Sequence, residues 1–282
     1  MRDQAFVALQ RVLPTLALTG LAHRVAQSAN PRLSQWLIRQ AIDAFDINLD
    51  EALHSEPEAY SSFNAFFTRA LKPGARPFAS QPNLISPVDG RISQFGDVRE
   101  GQIIQAKGLS YSVEELLVDA VQAAKYANGS FITLYLAPSD YHRIHMPVQA
   151  QVASMRYQPG RLLAVNPPTV RTAKRVFSRN ERLICHLLGQ GEHSPSHLAL
   201  VMVGALFVSG LETVLTGPIS PPHGGPSQQF EPRRVLDRGA ELGRFNYGST
   251  VILLLPPGWE FQQALKPGDA VRMGQALAAP RR

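Results

Sequence analysis

Hydrophobic and polar positions follow two different rhythms along the chain. Over residues 1–71 apolar side chains recur at helical spacing. Phe6, Val7, Leu9, Leu13, Leu16 and Leu18 form one set, with Arg2, Arg11 and Arg24 interspersed. A second run, PRLSQWLIRQAIDAF, opens with Pro31, a residue suited to a first helical turn, and carries Leu33, Trp36, Leu37, Ile38, Ile42 and Phe45. A third, SSFNAFFTRAL, groups Phe63, Phe66 and Phe67 near Arg69. Residues 1–71 are read as a helical region. Its apolar faces either pack on a core or enter a bilayer while arginines meet headgroups, and periodicity does not separate the two.

KPGARP closes that region, and from about Leu84 the rhythm shortens. RISQFG, GQIIQAKG, SFITLYLAP, AQVASMRY, LALVMVGALFVSGLETV and STVILLLPP are short apolar or alternating runs bounded by Gly, Pro, Ser and Asp, which are strand signals. SVEELLVDAVQAAKYA is the one clear later helix, with Ser112 and Glu115 as a capping box. TGPISPPHGGPSQQFEPRR reads as a loop. The expectation is an α+β protein: a helical membrane-associating region, then a mostly antiparallel β core with few helices over 72–282.

Composition narrows the partners. The 282 residues are 44% hydrophobic, enough for one large domain or two small ones with a core. The single cysteine, Cys185, excludes an internal disulfide and fits a reducing compartment. A formal charge of +6 suits an anionic partner. No Lys/Arg run, zinc-finger spacing or aromatic RNA-binding pattern accompanies it, so anionic lipid or an acidic metabolite is favoured over nucleic acid. The N-terminal apolar run is broken by Arg11, Pro14 and Gly20, so it reads neither as a membrane span nor as a signal peptide.

Reactive side chains gather at three places: SPVDGRIS with Asp89, APSDYHRIHMPV with Asp140, His142, Arg143 and His145, and YGST with Ser249. Asp, His and Ser suit a base that is oriented by a carboxylate and aimed at a hydroxyl. His142 and His145, three positions apart, would face opposite ways on a strand, so a turn or short irregular segment is expected there. No HExxH helix or Cys pair joins the two histidines, and no metal is expected. No G-x-S-x-G elbow surrounds Ser249, which disfavours an ordinary α/β-hydrolase. GDAVRMGQALAA has the hairpin texture of biotinyl or lipoyl carriers, yet no Lys follows Lys266 to be modified.

Taken in order, FNAFFTRALKPGARP, SPVDGRISQFG, QAKGLSYSVEELL, YLAPSDYHRIHMPV, FSRNERLI, VGALFVSGLETV and GRFNYGSTVILLLP resemble the pyruvoyl-dependent phosphatidylserine decarboxylases. Tyr247 stands where that family usually has Leu, and the Gly-Ser step is intact. The resemblance implies self-cleavage between Gly248 and Ser249 into chains 1–248 and 249–282. Asp89, His145 and Ser249 would be the self-cleavage triad. Ser249 would then become a covalent pyruvoyl group, the cofactor in place of PLP. It would form a Schiff base with phosphatidylserine, His142 would act as general acid, and phosphatidylethanolamine and carbon dioxide would leave. The resemblance also implies a heterodimer of the two cleaved chains, with a homo-oligomer left open. The helical region, with Arg near Trp and Phe, fits peripheral attachment for a lipid substrate, and with neither a presequence nor a signal peptide read in the sequence the cytoplasmic side of a cell membrane is expected. Arg143, Arg179 and Arg182 are candidate anion contacts. A single-chain Ser-His-Asp hydrolase, a carrier module and a self-processed inactive scaffold are the competing readings.

Overall fold

The computed structural model describes residues 2–191, 194–207, 210–219, 225–246 and 249–281. Eight α-helices lie among them. The first three are α1 (Arg2–Val12), α2 (Thr15–Ala26) and α3 (Pro31–Phe45). Pro14 separates α1 from α2, because it lacks an N–H and crowds the preceding turn. Asn30 caps α3 by accepting the N–H groups of Arg32 (3.0 Å) and Leu33 (3.2 Å). Ser62 caps α4 (Phe63–Phe67) by accepting the Ala65 N–H at 3.1 Å. Ile38, Ala41, Tyr60, Phe63, Phe66 and Phe67 form a small core of their own between α3 and α4.

The helical region is therefore docked on one side and exposed on the other. Val7 on α1 joins the main core. Gln10 donates to Thr169 Oγ1 (3.2 Å) and accepts the Ala164 N–H (2.8 Å). Leu9, Val12, Leu21 and Trp36 stay in solvent, with Val12 84% and Trp36 59% exposed. No helix among the described residues is long and apolar enough to cross a membrane.

The helix expected over SVEELLVDAVQAAKYA is two: α5 (Val113–Leu117) and α6 (Ala120–Ala124). Ser112 Oγ accepts the Glu115 N–H at 3.0 Å, but Glu115 turns to Arg175 (2.7 Å) instead of closing the capping box. Long-range arginines end α5. Arg182 donates to the Glu115 and Leu116 carbonyls and Arg156 to that of Val118, which turns left-handed (φ 53°). Two more short helices, α7 (Pro167–Thr172) and α8 (Val176–Arg179), lie where no helix was expected, although Asn166, which accepts the Thr169 N–H at 3.3 Å, and Pro167 open α7 as Asn30 and Pro31 open α3.

The main sheet has nine strands among the described residues, and its pairings are all antiparallel. Its central strand, Ser249–Leu255, lies between Ser130–Leu136 and Leu198–Val203. Val251 to Leu255 are all buried, as a strand covered on both faces requires. Each such Leu or Ile adds roughly 1.5–3 kcal/mol of burial. The stretch expected to be a loop, 216–234, contributes Gly217–Pro218, paired with Leu211–Thr213, and Gln228–Phe230, paired with Ala150–Gln158. Arg234–Leu236, which begins at its last residue, also pairs with Ala150–Gln158, and residues 220–224 lie outside the described residues. GDAVRMGQALAA is not a hairpin. Ala270–Val271 pairs with Gly90 and Arg91, and Ala276–Pro280 pairs with two other strands.

Candidate active site

Tyr247 and Gly248 lie outside the described residues, and Ser249 is placed by its backbone. Register sets Ser249 opposite Leu136 and Thr250 opposite Val203. The chain leaving Leu136 reverses at once. Asp140 Oδ2 accepts the Ala137 N–H (2.7 Å), and the Asp140 N–H returns to the Ala137 carbonyl (2.9 Å). This turn feeds His142 and the three-residue strand Arg143–His145, which pairs with Glu241–Phe245. The Phe245 N–H donates to the His142 carbonyl at 3.2 Å, three residues before Gly248. The irregular segment expected around the histidines holds for His142, whereas His145 ends a short strand.

His142 is fully buried, and its ring lies against Phe67 with centroids 4.0 Å apart. Its Nδ1–H donates to the Asp140 carbonyl at 2.8 Å, which leaves Nε2 as a lone-pair acceptor. Nε2 is buried without a hydrogen-bond partner among the described residues. Burial pushes the ring down to about 3, so it is neutral near pH 7. An apolar cavity of about 250 Å³ opens beside this corner, lined by Phe45, Phe67, Leu136, Pro138, Ala205 and Leu206 among others. Leu136 is the register partner of Ser249, so the cavity borders the head of the central strand.

His145 is held by both nitrogens. Nδ1 donates to the Gly239 carbonyl (2.8 Å), and Nε2 accepts from the Tyr141 hydroxyl (2.9 Å). Burial lowers its pKa, and the charges of Glu241 and Asp89 pull the other way. Asp89 does not reach the ring. Its carboxylate accepts the Met273 N–H (2.8 Å) and a two-pronged contact from Arg76 Nε and Nη2, and the same Nη2 also reaches Glu51 (2.8 Å). Orientation of His145 thus falls to Gly239 and Tyr141, while Asp89 acts on it through charge. Asp89, Arg76, Arg69, Asp140 and Tyr141 share a polar cavity of about 280 Å³.

Several of these partners carry no sequence signal of their own kind. Gly239 works through its carbonyl. Its positive φ (81°), and Phe78 standing where a Cβ would be (2.2 Å), explain why glycine is needed there. Tyr141 lies between Asp140 and His142, and Arg76 lies inside KPGARP, a stretch that closes the helical region and belongs to the resemblance without marking the arginine as a site residue. Two of the three candidate anion contacts are committed elsewhere. Arg143 pairs with Glu241 at 2.8 Å, and buried Arg182 donates to three backbone carbonyls. Arg179 lies exposed on α8. Among the described residues no three His, Cys, Asp or Glu side chains converge as metal ligands would.

Comparison with known proteins bears on this arrangement. A family model described as phosphatidylserine decarboxylase matches residues 63–279, and a second, described as PSD, matches residues 5–46. A phosphatidylserine decarboxylase proenzyme of Xanthomonas axonopodis pv. citri (strain 306) is 49% identical over 276 residues, covering 96% of this chain and 97% of the relative. One from Xylella fastidiosa (strain M23) is 48% identical over 275 residues, covering 96% and 92%. One from Xanthomonas campestris pv. campestris (strain 8004) is 48% identical over 276 residues, covering 96% of each.

Proposed function

The chain belongs to the phosphatidylserine decarboxylase family, and from that premise we propose that it converts phosphatidylserine to phosphatidylethanolamine and carbon dioxide with a pyruvoyl group made from its own Ser249. When formed, that group supplies a ketone-bearing electron sink for the charge that decarboxylation leaves on Cα. The residues present fit it. An imidazole nitrogen that is buried and unpartnered among the described residues, His142 Nε2, sits at the corner where the chain folds back after Leu136, the register partner of Ser249. This is the observation that carries the reading.

The group has to be built first. Ser249 Oγ attacks the Gly248 carbonyl and an ester replaces the amide. Elimination then removes the Ser249 α-proton and expels the Gly248 carboxylate. The dehydroalanine left at residue 249 takes up water and loses ammonia. The serine needs a base, and His145 serves through Nε2 once Tyr141 yields that nitrogen. Asp89 favours the imidazolium that forms, by charge across the polar cavity. The products are chains 1–248 and 249–282, held together as a heterodimer by the strand pairing around Ser249–Leu255.

In the decarboxylation, neutral His142 can take a proton from the substrate ammonium at Nε2 and return it to Cα after carbon dioxide leaves. The apolar cavity bounded by Phe45, Phe67 and Leu206 gives the lipid's glycerol and acyl portion a place beside the reacting centre. Exposed apolar residues on α1 to α3 suit peripheral attachment at the cytoplasmic face of a membrane.

Intact-mass analysis of denatured protein tests the reading. Two chains are expected, one ending at Gly248 and one beginning at residue 249 with a blocked terminus, while Ser249→Ala stays whole and inactive. A single whole chain in active enzyme overturns it in favour of a Ser-His-Asp hydrolase.

A further inference from the structure

α4 and the two residues after it touch the site at four points. Phe67 covers His142. The Thr68 carbonyl accepts from Arg143 Nε at 2.9 Å, and Arg69 donates to the Ser139 carbonyl at 2.9 Å. The fourth contact reaches the segment to be cut: Asn64 Nδ2 donates to Asn246 Oδ1 at 3.2 Å. Asn246 lies two residues before Gly248 and is 7% exposed.

Both asparagines are fixed from behind. The Asn64 carbonyl accepts the Thr68 N–H and hydroxyl, each at 2.9 Å. The Asn246 N–H donates to the Gly210 carbonyl at 3.0 Å. A Cβ at Gly210 would stand 2.7 Å from Asn246 Nδ2, so the amide is wedged on that side. The Asn64 bond therefore ties the last residue before the Tyr-Gly-Ser step to a helix 182 positions away in sequence.

We propose that Asn64 is a positioning residue for self-cleavage: through Asn246 it restricts the scissile segment so that the Gly248 carbonyl stays within reach of Ser249. The inference rests on the cleavage reading above. The physical need is clear. Glycine has the widest backbone freedom of any residue, and acyl transfer within a chain is fast only when the reacting atoms are held in a near-attack arrangement. An anchor two residues upstream removes part of that freedom.

The test follows cutting of the full chain after cell-free synthesis, by denaturing electrophoresis. Asn64→Ala and Asn246→Ala should each slow cutting by roughly three- to tenfold, the range one hydrogen bond supplies. The double variant should be no slower than the slower single one, since both remove the same bond. Asn246→Asp keeps an acceptor for the Asn64 amide and should recover most of the rate lost in Asn246→Ala. Asn64→Asp combined with Asn246→Asp sets two acceptors face to face and should not recover it. Wild-type cutting by Asn64→Ala, multiplied losses in the double variant, or no recovery in Asn246→Asp overturns the proposal. If the alanine variants fail to fold, Asn246→Asp is compared with the Asp–Asp pair, and equal rates overturn it. Ser249→Ala runs in parallel: if that chain is cut, the cleavage reading has failed, independently of Asn64.

Discussion

His142 concentrates the residue-scale argument. Its Nδ1 is spoken for, its Nε2 has no partner among the described residues, and burial holds it neutral. Removing it should spare self-cleavage, which the proposed mechanism assigns to His145, and damage turnover. His142→Ala is expected to yield both chains in normal amounts while kcat falls by about a hundredfold or more, the usual worth of a positioned acid–base group. Equal loss of cutting and turnover would mean that the two histidines do not divide the work. The same burial makes His142 a pH liability. Its folded pKa, about 3, lies below the ordinary 6.5, so the unfolded chain binds a proton that the native one refuses. Stability is therefore full above about pH 6.5 and declines as pH falls toward 3, by up to about 1.4 kcal/mol per pH unit. Urea midpoints of the uncut Ser249→Ala chain from pH 7 to 4.5 should drop, and adding His142→Gln should flatten the slope. It will not abolish it, because burial also lowers His145 and His186. Asp89, His142, His145 and Ser249 were legible because they are reactive types in recognisable stretches. What holds His145 was not: one partner is a backbone carbonyl, and Tyr141 announces nothing by type.

At the scale of elements, local sequence and tertiary contact divide the outcome. The strands STVILLL and SFITLYL, and the helix opened by Asn30-Pro31, carry their own instructions in apolar runs and caps. The break between α5 and α6 is shared: Asp119 caps α6 locally by accepting the Gln122 N–H at 3.0 Å, while Arg182 and Arg156 hold the end of α5 from other strands. Likewise the capping box at Ser112 is half made because Arg175 competes for Glu115. The strand after Asp89 shows how an element can position a site. Gly90 lies so close to its neighbour that an added Cβ would meet the Tyr135 carbonyl oxygen at 2.5 Å, a backbone atom that cannot step aside. Gly90→Ala should push this strand from Ser130–Leu136 and carry Asp89 with it. A stability loss of about 1–3 kcal/mol is expected from such overpacking, together with slower cutting. Measuring both on one preparation separates them: lost stability with undiminished cutting would show that Asp89 does not need this strand.

For the whole molecule, the open question in the sequence was whether the N-terminal helices serve a core or a surface, and the fold assigns each face differently. Ile38, Phe63, Phe66 and Phe67 are core, and through Phe67 that core backs His142. Leu9, Val12, Leu21 and Trp36 are exposed on α1 to α3. Deleting the region would therefore uncover Phe67 and the wall of the site as well as any membrane contact, so truncation confounds the two roles. Point charges do not. Val12→Glu with Trp36→Glu leaves the buried faces intact and sets carboxylates where a bilayer of anionic lipid would be met. Losing the burial of two such side chains costs on the order of 1.5–3 kcal/mol, so sedimentation with phosphatidylserine vesicles should weaken by about tenfold or more. Cutting, governed by Ser249 and its neighbours, should proceed at the wild-type rate, and turnover of a short-chain, detergent-dispersed substrate should be retained. Undiminished vesicle binding would remove these helices as the membrane-facing side. It would leave the net charge of +6, spread over the rest of the surface, as the remaining source of attraction.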